Sequence, residues 1–290
     1  PVLGTPNGER GRAIRRAMSL AFNEAWARRK LYNDRLDSLQ GILVPEFPEY
    51  DPDFTNPWKK RPDETREQAL ERARGLLADA GYPGGEGIPP IYYEVTDSVT
   101  DSQFYAVLRR DMAEIGIDLR ATRVTWTQMM KRIDQGDAQM WGVAWTADYP
   151  DAQNFLALFY GPNKAPGPNG ASYENPAFDR LYARALALPP CDERTELYRA
   201  MQEIIVEDCV WIFKYRRVTY DLLQPWFHNF KRSALQDRYG KFVWVDSEER
   251  EQTAASWNQP VLTPLWIGLA LVAVVLAATL WGARRRVRAW

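Results

Sequence analysis

The chain has 290 residues, 46% hydrophobic and 26% charged, a globular balance with enough apolar material for a substantial core. Its net charge is −1, and residues 1–250, without the arginine-rich end, carry 33 basic against 37 acidic groups, or −4, so no electrostatic basis for nucleic-acid binding exists. A single histidine, His228, excludes two-histidine zinc motifs and leaves only one imidazole to serve as base for any serine or cysteine nucleophile.

The first residues, PVLGTPNGER, lack a basic region followed by an apolar stretch, so no signal peptide is read there; with Pro1 in place of Met, a fragment or an uncaptured start is expected. Residues 12–29 predict one helix or two short ones, with Ile14, Ala17, Met18, Ala21 and Phe22 at helical spacing. Four prolines interleaved with Tyr50, Phe54 and Trp58 make residues 41–62 an ordered loop, because aromatics among prolines can pack. Asp63 is placed to cap a helix whose stripe is Ala69, Leu70, Ala73, Leu76, Leu77 and Ala80, ended by Gly81 and Pro83. A strand at 91–95, a helix through Phe104, Val107, Leu108, Met112 and Ile115, an alternating strand at 117–121 and a short helix at 126–133 follow. That order predicts a layered α/β unit.

Residues 137–159, DAQMWGVAWTADYPDAQNFLALF, hold the candidate site. The apolar run Ala138 to Trp145 is short and bounded by turn signals, which predicts a buried strand. Directly after it stand Asp148 and Tyr149, so a carboxylate between aromatics is expected at the carboxyl end of a strand, where open α/β sheets place ligand crevices. Trp145, Asp148 and Tyr149 suit an organic molecule carrying an ammonium group: rings supply area and the acid supplies orientation. The same residues also suit a structural role, with Asp148 as a turn or cap residue and Trp145 in the core.

Beyond the site, a helix is expected from Asn154 to Tyr160, a loop at 161–173, and a helix opened by Asn175-Pro176 with the stripe Phe178, Leu181, Tyr182, Ala185 and Leu188. Cys191 and Cys209 bracket a further helix. A separation of roughly 20–25 Å at 1.5 Å per residue is too far for a disulfide, so two free, mostly buried thiols are expected, without a metal motif. Residues 210–215 and 218–222 read as strand-like pieces, and 225–245 as aromatic-rich and irregular. The run VLTPLWIGLALVAVVLAATLWGA (261–283) is uncharged over 23 residues with Trp266 and Trp281 near its ends and ARRRVRAW following. That is enough to cross a hydrocarbon core of about 30 Å, with the basic tail on the cytoplasmic side and residues 1–250 outside.

Taken in order, IRRAMSLAFN (14–23), YDPDF (50–54), QALERARGLLADAGYP (68–83), LRRDMAEIGIDLRATRVTW (108–126), GVAWTADYPDAQNF (142–155), ENPAFDRLYARA (174–185) and ERTELYRAMQEIIVEDCVWIF (193–213) resemble the C-terminal part of extracellular solute-binding proteins of the peptide/nickel class. These are the dipeptide- and oligopeptide-binding components of ABC importers. The resemblance spans residues 10–245. It implies an α/β, periplasmic-binding-protein-like lobe with a mixed sheet and flanking helices, plus the C-terminal transmembrane helix. The divisions expected are a second ligand-binding lobe at 1–213, a segment returning to a missing first lobe at 214–250, a linker at 251–260, a transmembrane helix at 261–283 and a basic cytoplasmic tail at 284–290.

In peptide binders of that class the acid of the W-x-x-D-Y motif holds the peptide α-ammonium and the Trp lines a side-chain pocket; the matching residues are Asp148 and Trp145. Some members carry a basic residue three positions before that Trp to meet a carboxylate, and here Gly142 stands there. The resemblance implies a binding protein without catalysis or cofactor, whose partners are a peptide-like or other small cationic solute, ABC permease subunits and the membrane. The rival is a solute-sensing or enzymatic ectodomain that kept the fold; sensing would call for a cytoplasmic output domain, and only a few residues follow the anchor.

Overall fold

The computed structural model describes residues 2–231 and 239–287. They form two units, one up to Tyr220 and one from Asp221.

The first unit opens with two helices, α1 (Gly8–Ala21) and α2 (Glu24–Tyr32), the break falling at Phe22-Asn23, where Asn23 caps α2 by accepting the Trp26 N–H. A short strand, β1 (Leu36–Ser38), precedes the proline-rich loop. Helix α3 (Arg66–Asp79) begins two residues later than Asp63 would place it. Thr65 is the cap, because its hydroxyl accepts the Gln68 N–H while the Gln68 side chain accepts the Thr65 N–H, satisfying two otherwise orphaned donors. Strand β2 (Ile91–Val95), helix α4 (Val99–Ala113) and strand β3 (Leu119–Arg123) form a right-sized crossover unit, with β2 and β3 parallel from Ile91↔Leu119 to Val95↔Arg123. Gly116, with φ +78°, does more than end α4: a Cβ there would lie 1.9 Å from the Gly84 carbonyl oxygen, and one at Gly85 would lie 2.3 Å from the Gly116 carbonyl oxygen, so the two turns touch only because 85 and 116 are glycine.

Helix α5 (Trp126–Asp134) carries a second reciprocal cap, Thr125 with Gln128. After it come α6 (Gln153–Leu156), continued as a 3₁₀ turn through Phe159, then α7 (Pro176–Leu186) with Asn175 as cap, α8 (Asp192–Asp208), and β4 (Tyr215–Arg217), which pairs antiparallel with β1. The mixed sheet expected from the resemblance is therefore distributed: the parallel and antiparallel pairs form separate two-stranded ladders. Of the strand-like stretches expected at 210–222, only Tyr215–Arg217 forms a ladder.

Two apolar clusters make the core. One joins α1, α3 and α4 to β2 and β3 through Ile14, Met18, Leu77, Ile91, Leu108 and Met112; the other joins α7 and α8 to the site-flanking turn and the proline-rich loop through Phe47, Leu156, Phe159, Phe178, Tyr198 and Ile205. Trp58 of the proline-rich loop packs against both, which is the ordering its aromatics predicted. A polar tie also connects them. Arg15 of α1 donates to the carbonyls of Asp208 (2.6 Å) and Cys209 (3.1 Å) at the end of α8, and Arg12 pairs with the Asp208 carboxylate at 3.0 Å. Asp208 also accepts from Tyr173 (2.5 Å) and Asn175 (2.9 Å).

The second unit holds a two-residue antiparallel pair, β5 (Phe227–His228) with β6 (Trp244–Val245), then α9 (Ser247–Trp257) and α10 (Thr263–Val287). The stretch read as a linker is helical through Trp257, since Asp246 caps α9 at the Glu249 N–H. By length and composition α10 can cross a membrane: Thr263–Arg284 is 22 residues with mean hydropathy 2.2. Of the irregular stretch at 225–245, residues 232–238 lie outside the described residues, as do 288–290 of the basic tail.

Cys191 and Cys209 flank the 17-residue α8 as its two caps and are both free. The expectation of two mostly buried thiols holds for Cys209 only; Cys191 is exposed because it precedes the first turn, on the solvent side of the Pro189-Pro190 break. Burial pushes the Cys209 thiol up to about 12. Labelling of the folded chain at pH 8 should therefore modify Cys191 alone, and denaturation without reductant should expose the second thiol; fast native labelling of both would contradict this packing. Replacing Arg15 with Met should lower stability by about 2–3 kcal/mol in urea unfolding, since buried carbonyls lose a charged donor. A shift below about 0.5 kcal/mol would mean that water satisfies the end of α8 instead.

Candidate functional site

The segment from Met140 to Asn154 leaves one apolar cluster and enters the other. At its start Met140 bridges Tyr93 in parallel, and its carbonyl accepts the Glu94 N–H at 2.8 Å. The strand expected over Ala138 to Trp145 goes no further than this single bridge. Strand β2 ends at Val95, two residues beyond the bridge, and turns into α4, so the template that residues 141–145 would pair with has run out. Val143 and Trp145 are consequently exposed, at 43% and 41%, where a buried strand was expected.

Beyond Trp145 the chain is organised by one buried side chain, Asn154, in the first turn of α6. Its Oδ1 accepts the indole N–H of Trp145 at 2.8 Å and the backbone N–H of Asp148 at 3.3 Å, while its Nδ2 donates to Asp148 Oδ2 at 3.2 Å. Trp145 and Asp148 are thereby fixed relative to each other. Asp148 itself is exposed, and one carboxylate oxygen is not consumed by Asn154. Tyr149, 42% exposed, extends the aromatic edge and hydrogen-bonds Gln153, which in turn donates to the Tyr182 hydroxyl. Burial raises the Tyr182 phenol above its ordinary range, so it stays a neutral anchor for that relay.

The second acid of DYPD has the structural role that was the alternative for Asp148. Asp151 accepts the Gln153 N–H at 2.9 Å, just ahead of α6, and pairs with Arg194 at 2.8 Å. The site trio read from sequence, Trp145, Asp148 and Tyr149, is thus brought together on one exposed loop. Asn154, which holds it, reads in the sequence only as the start of a helix; the available signal is an amide six residues after an acid at a helix start, a pattern too common to single out.

Gly142 lies where β2 and β4 approach this segment. A Cβ at 142 would meet the Tyr93 hydroxyl at 2.4 Å and the Lys214 ammonium at 3.5 Å, so a side chain there requires the buried Tyr93 to shift. Among the described residues one set of metal-capable groups converges, His228, Asp246 and Glu249 in the second unit, with ligand atoms within 4.8 Å of one another. Its contacts are those of a helix start: Asp246 caps α9, Glu249 lies 3.5 Å from His228 Nε2, and the imidazole stacks on Trp244 at 4.3 Å.

Comparison with known proteins gives this geometry its context. Residues 9–167, more than half of the chain, match the family model of bacterial extracellular solute-binding proteins, family 5, middle region. The chain is 29% identical over 159 residues to heme-binding protein A of Haemophilus influenzae, covering 53% of this chain and 29% of that protein. It is 32% identical over 166 residues to di/tripeptide-binding protein 3 of Pseudomonas aeruginosa, covering 56% and 31%. The chain thus spans less than half the length of these curated relatives.

Among solved structures, the DppA periplasmic binding protein of Helicobacter pylori, in complex with peptide STSA, superposes with a TM-score of 0.63 at 25% identity over 73% of this chain and 40% of its own. HbpA2 of Haemophilus parasuis shares the fold, with a TM-score of 0.70 at 22% identity over 84% and 47%. These relatives are solute-binding proteins and not enzymes. With the family match covering the whole approach to the Trp145–Asp148 loop, the chain belongs to the bacterial extracellular solute-binding proteins of family 5.

Proposed function

We propose that this chain is the ligand-facing part of a membrane-anchored substrate-binding component of an ABC importer, capturing a peptide-like or other small cationic solute in a cleft. The observation that carries the reading is the exposed Asp148 carboxylate, held in one orientation by Asn154 between the exposed rings of Trp145 and Tyr149. A carboxylate fixed beside apolar faces gives an ammonium group a direction, and the rings give the rest of the solute area to bury. The peptide-bound neighbour and the di/tripeptide-binding relative support a peptide as the solute. In this reading residues 1–213 form one lobe, 214–250 return toward another, and the cleft closes between them.

Anchoring would come from α10, whose apolar span carries Trp266 and Trp281 near its ends. The arginines after it favour a cytoplasmic C-terminus and place the binding region on the periplasmic side.

Three outcomes are expected. In the full-length receptor Asp148→Asn should weaken peptide binding about thirtyfold or more by calorimetry, because removing one side of a desolvated charge pair costs roughly 2–5 kcal/mol. An unchanged affinity would return Asp148 to the role of a turn residue. Asn154→Leu should weaken binding in the same direction, with faster quenching of Trp145 fluorescence by acrylamide as the indole loses its acceptor. The full chain should stay with membranes through carbonate extraction, and a stop codon after Asn258 should release it; extraction of both forms alike would remove the anchor.

A further inference from the structure

The second unit brings His228, Asp246 and Glu249 together from two elements, with ligand-capable atoms all within 4.8 Å of one another. The strand register explains how. His228 of β5 pairs with Trp244 of β6, and paired residues share a face of a ladder, so the imidazole stacks on the indole at 4.3 Å. The Asp246 N–H still bonds to the Trp226 carbonyl at 2.9 Å, so the pairing runs on and Asp246, two residues after Trp244, returns to the same face. Glu249, in the first turn of α9, closes the group.

The helix start alone accounts for two of these residues. Asp246 accepts the Glu249 N–H at 2.9 Å through Oδ1, and acids in a first turn, here Glu248 and Glu249, are stabilised by unpaired N–H groups. It does not account for the imidazole. His228 Nε2 lies 3.5 Å from Glu249 Oε2, beyond the ~2.7–3.2 Å of an N–H···O bond. That gap is the spacing of two ligands on one ion: a nitrogen and an oxygen each about 2.0–2.2 Å from a tetrahedral cation lie ~3.4 Å apart. Asp246 has a second oxygen that the cap does not use, and all three residues are half-buried, open to an ion from solvent.

The unit also has a use for a cation. Helix α9 contributes no buried residue, β6 is exposed and β5 only half-buried, so beyond the Trp226–Trp257 ring contact at 5.5 Å little apolar burial holds the ladder to the helix. Small units short of a core are held by disulfides or metals, and neither cysteine of the chain lies in this one. We propose that His228, Asp246 and Glu249 bind a divalent first-row transition cation of the Zn²⁺ class, which clips β5 to the start of α9. One imidazole nitrogen with two carboxylate oxygens favours such an ion over Ca²⁺ or Mg²⁺, which take oxygen shells, and three protein ligands leave a position for water. All three ligands belong to the second unit, so the site stands whatever solute the first unit takes.

The test uses the full-length chain, purified in detergent without a histidine tag, with Zn²⁺ alone as the probe. Because His228 is the only histidine, its imidazole Cε1–H resonance reports this site without ambiguity. One equivalent of Zn²⁺ should move that resonance. Calorimetry should find an affinity that falls by about tenfold or more in His228→Gln and in Glu249→Gln, both of which keep Asp246 and the Glu249 N–H and hence the cap. Glu248→Gln, which alters an acid of the same turn outside the trio, should bind as the wild type does, and excess Ca²⁺ should not displace the ion. Zn²⁺ should also slow amide exchange in the first turn of α9, and should fail to do so in His228→Gln.

Equal Zn²⁺ affinity in the wild type and His228→Gln, an imidazole resonance unmoved at saturation, or displacement by Ca²⁺ overturns the site and leaves an acidic helix start. Zn²⁺ held at His228 with no slowing of exchange in α9 overturns the clip.

Discussion

Three arginines on one face of α1 close the open end of α8, and the placement of everything else in the first unit follows from that contact. A helix leaves its last carbonyls without partners and with partial negative charge, and a buried end must find donors. Arg12, Arg15 and Arg16, spaced to share a face, supply them: Arg15 and Arg16 donate to the carbonyls of residues 207, 208 and 209, and Arg12 meets the Asp208 carboxylate. Burial lowers the Arg15 pKa from its ordinary value, and the nearby Asp208 carboxylate acts against that lowering. Through this contact the cluster built on β2, β3 and α4 is fixed against the cluster built on α7 and α8.

The candidate site depends on that tie because its loop hangs between the two clusters. Met140 is bridged to β2 in the first cluster, while Ala152 and Leu156 are buried in the second. The eleven residues between cross the surface with their position set at both ends, and Asn154 then sets the geometry in the middle. The division of labour between the two acids of DYPD follows from where the crossing ends. Asp151 lies just ahead of α6 and within reach of Arg194, so its charge is spent on the Gln153 N–H and that ion pair; Asp148 is three residues earlier, still over solvent, with one oxygen not taken by Asn154.

Elsewhere two buried acids have their counterions. Asp111, fully enclosed, is met by Arg110 at 2.7 Å and by the Asn23 N–H at 2.8 Å, and Glu94 by Arg132 at 3.0 Å. The buried Lys59 ammonium is paired with Glu24.

The helices of this protein were legible because their physics is local. Periodic apolar stripes at 69–77 and 178–185, the Asn175-Pro176 start and the Gly81 and Gly116 stops each concern residues within a turn or two of one another, and the observed helices keep to them. The motif at 142–155 likewise carried the family and the trio Trp145, Asp148 and Tyr149 in plain view. What sequence could not decide was everything set by a partner distant along the chain. Whether 138–145 is a strand depends on how far β2 runs beside it, which residue reaches the space beside Gly142 depends on a segment 72 positions later, and the closure of α8 depends on arginines nearly 200 residues earlier. Apolar patterning fixes which face of an element is buried; only packing determines what that face meets, because the energy of an unpaired strand edge, carbonyl or ammonium is settled by whichever group arrives there.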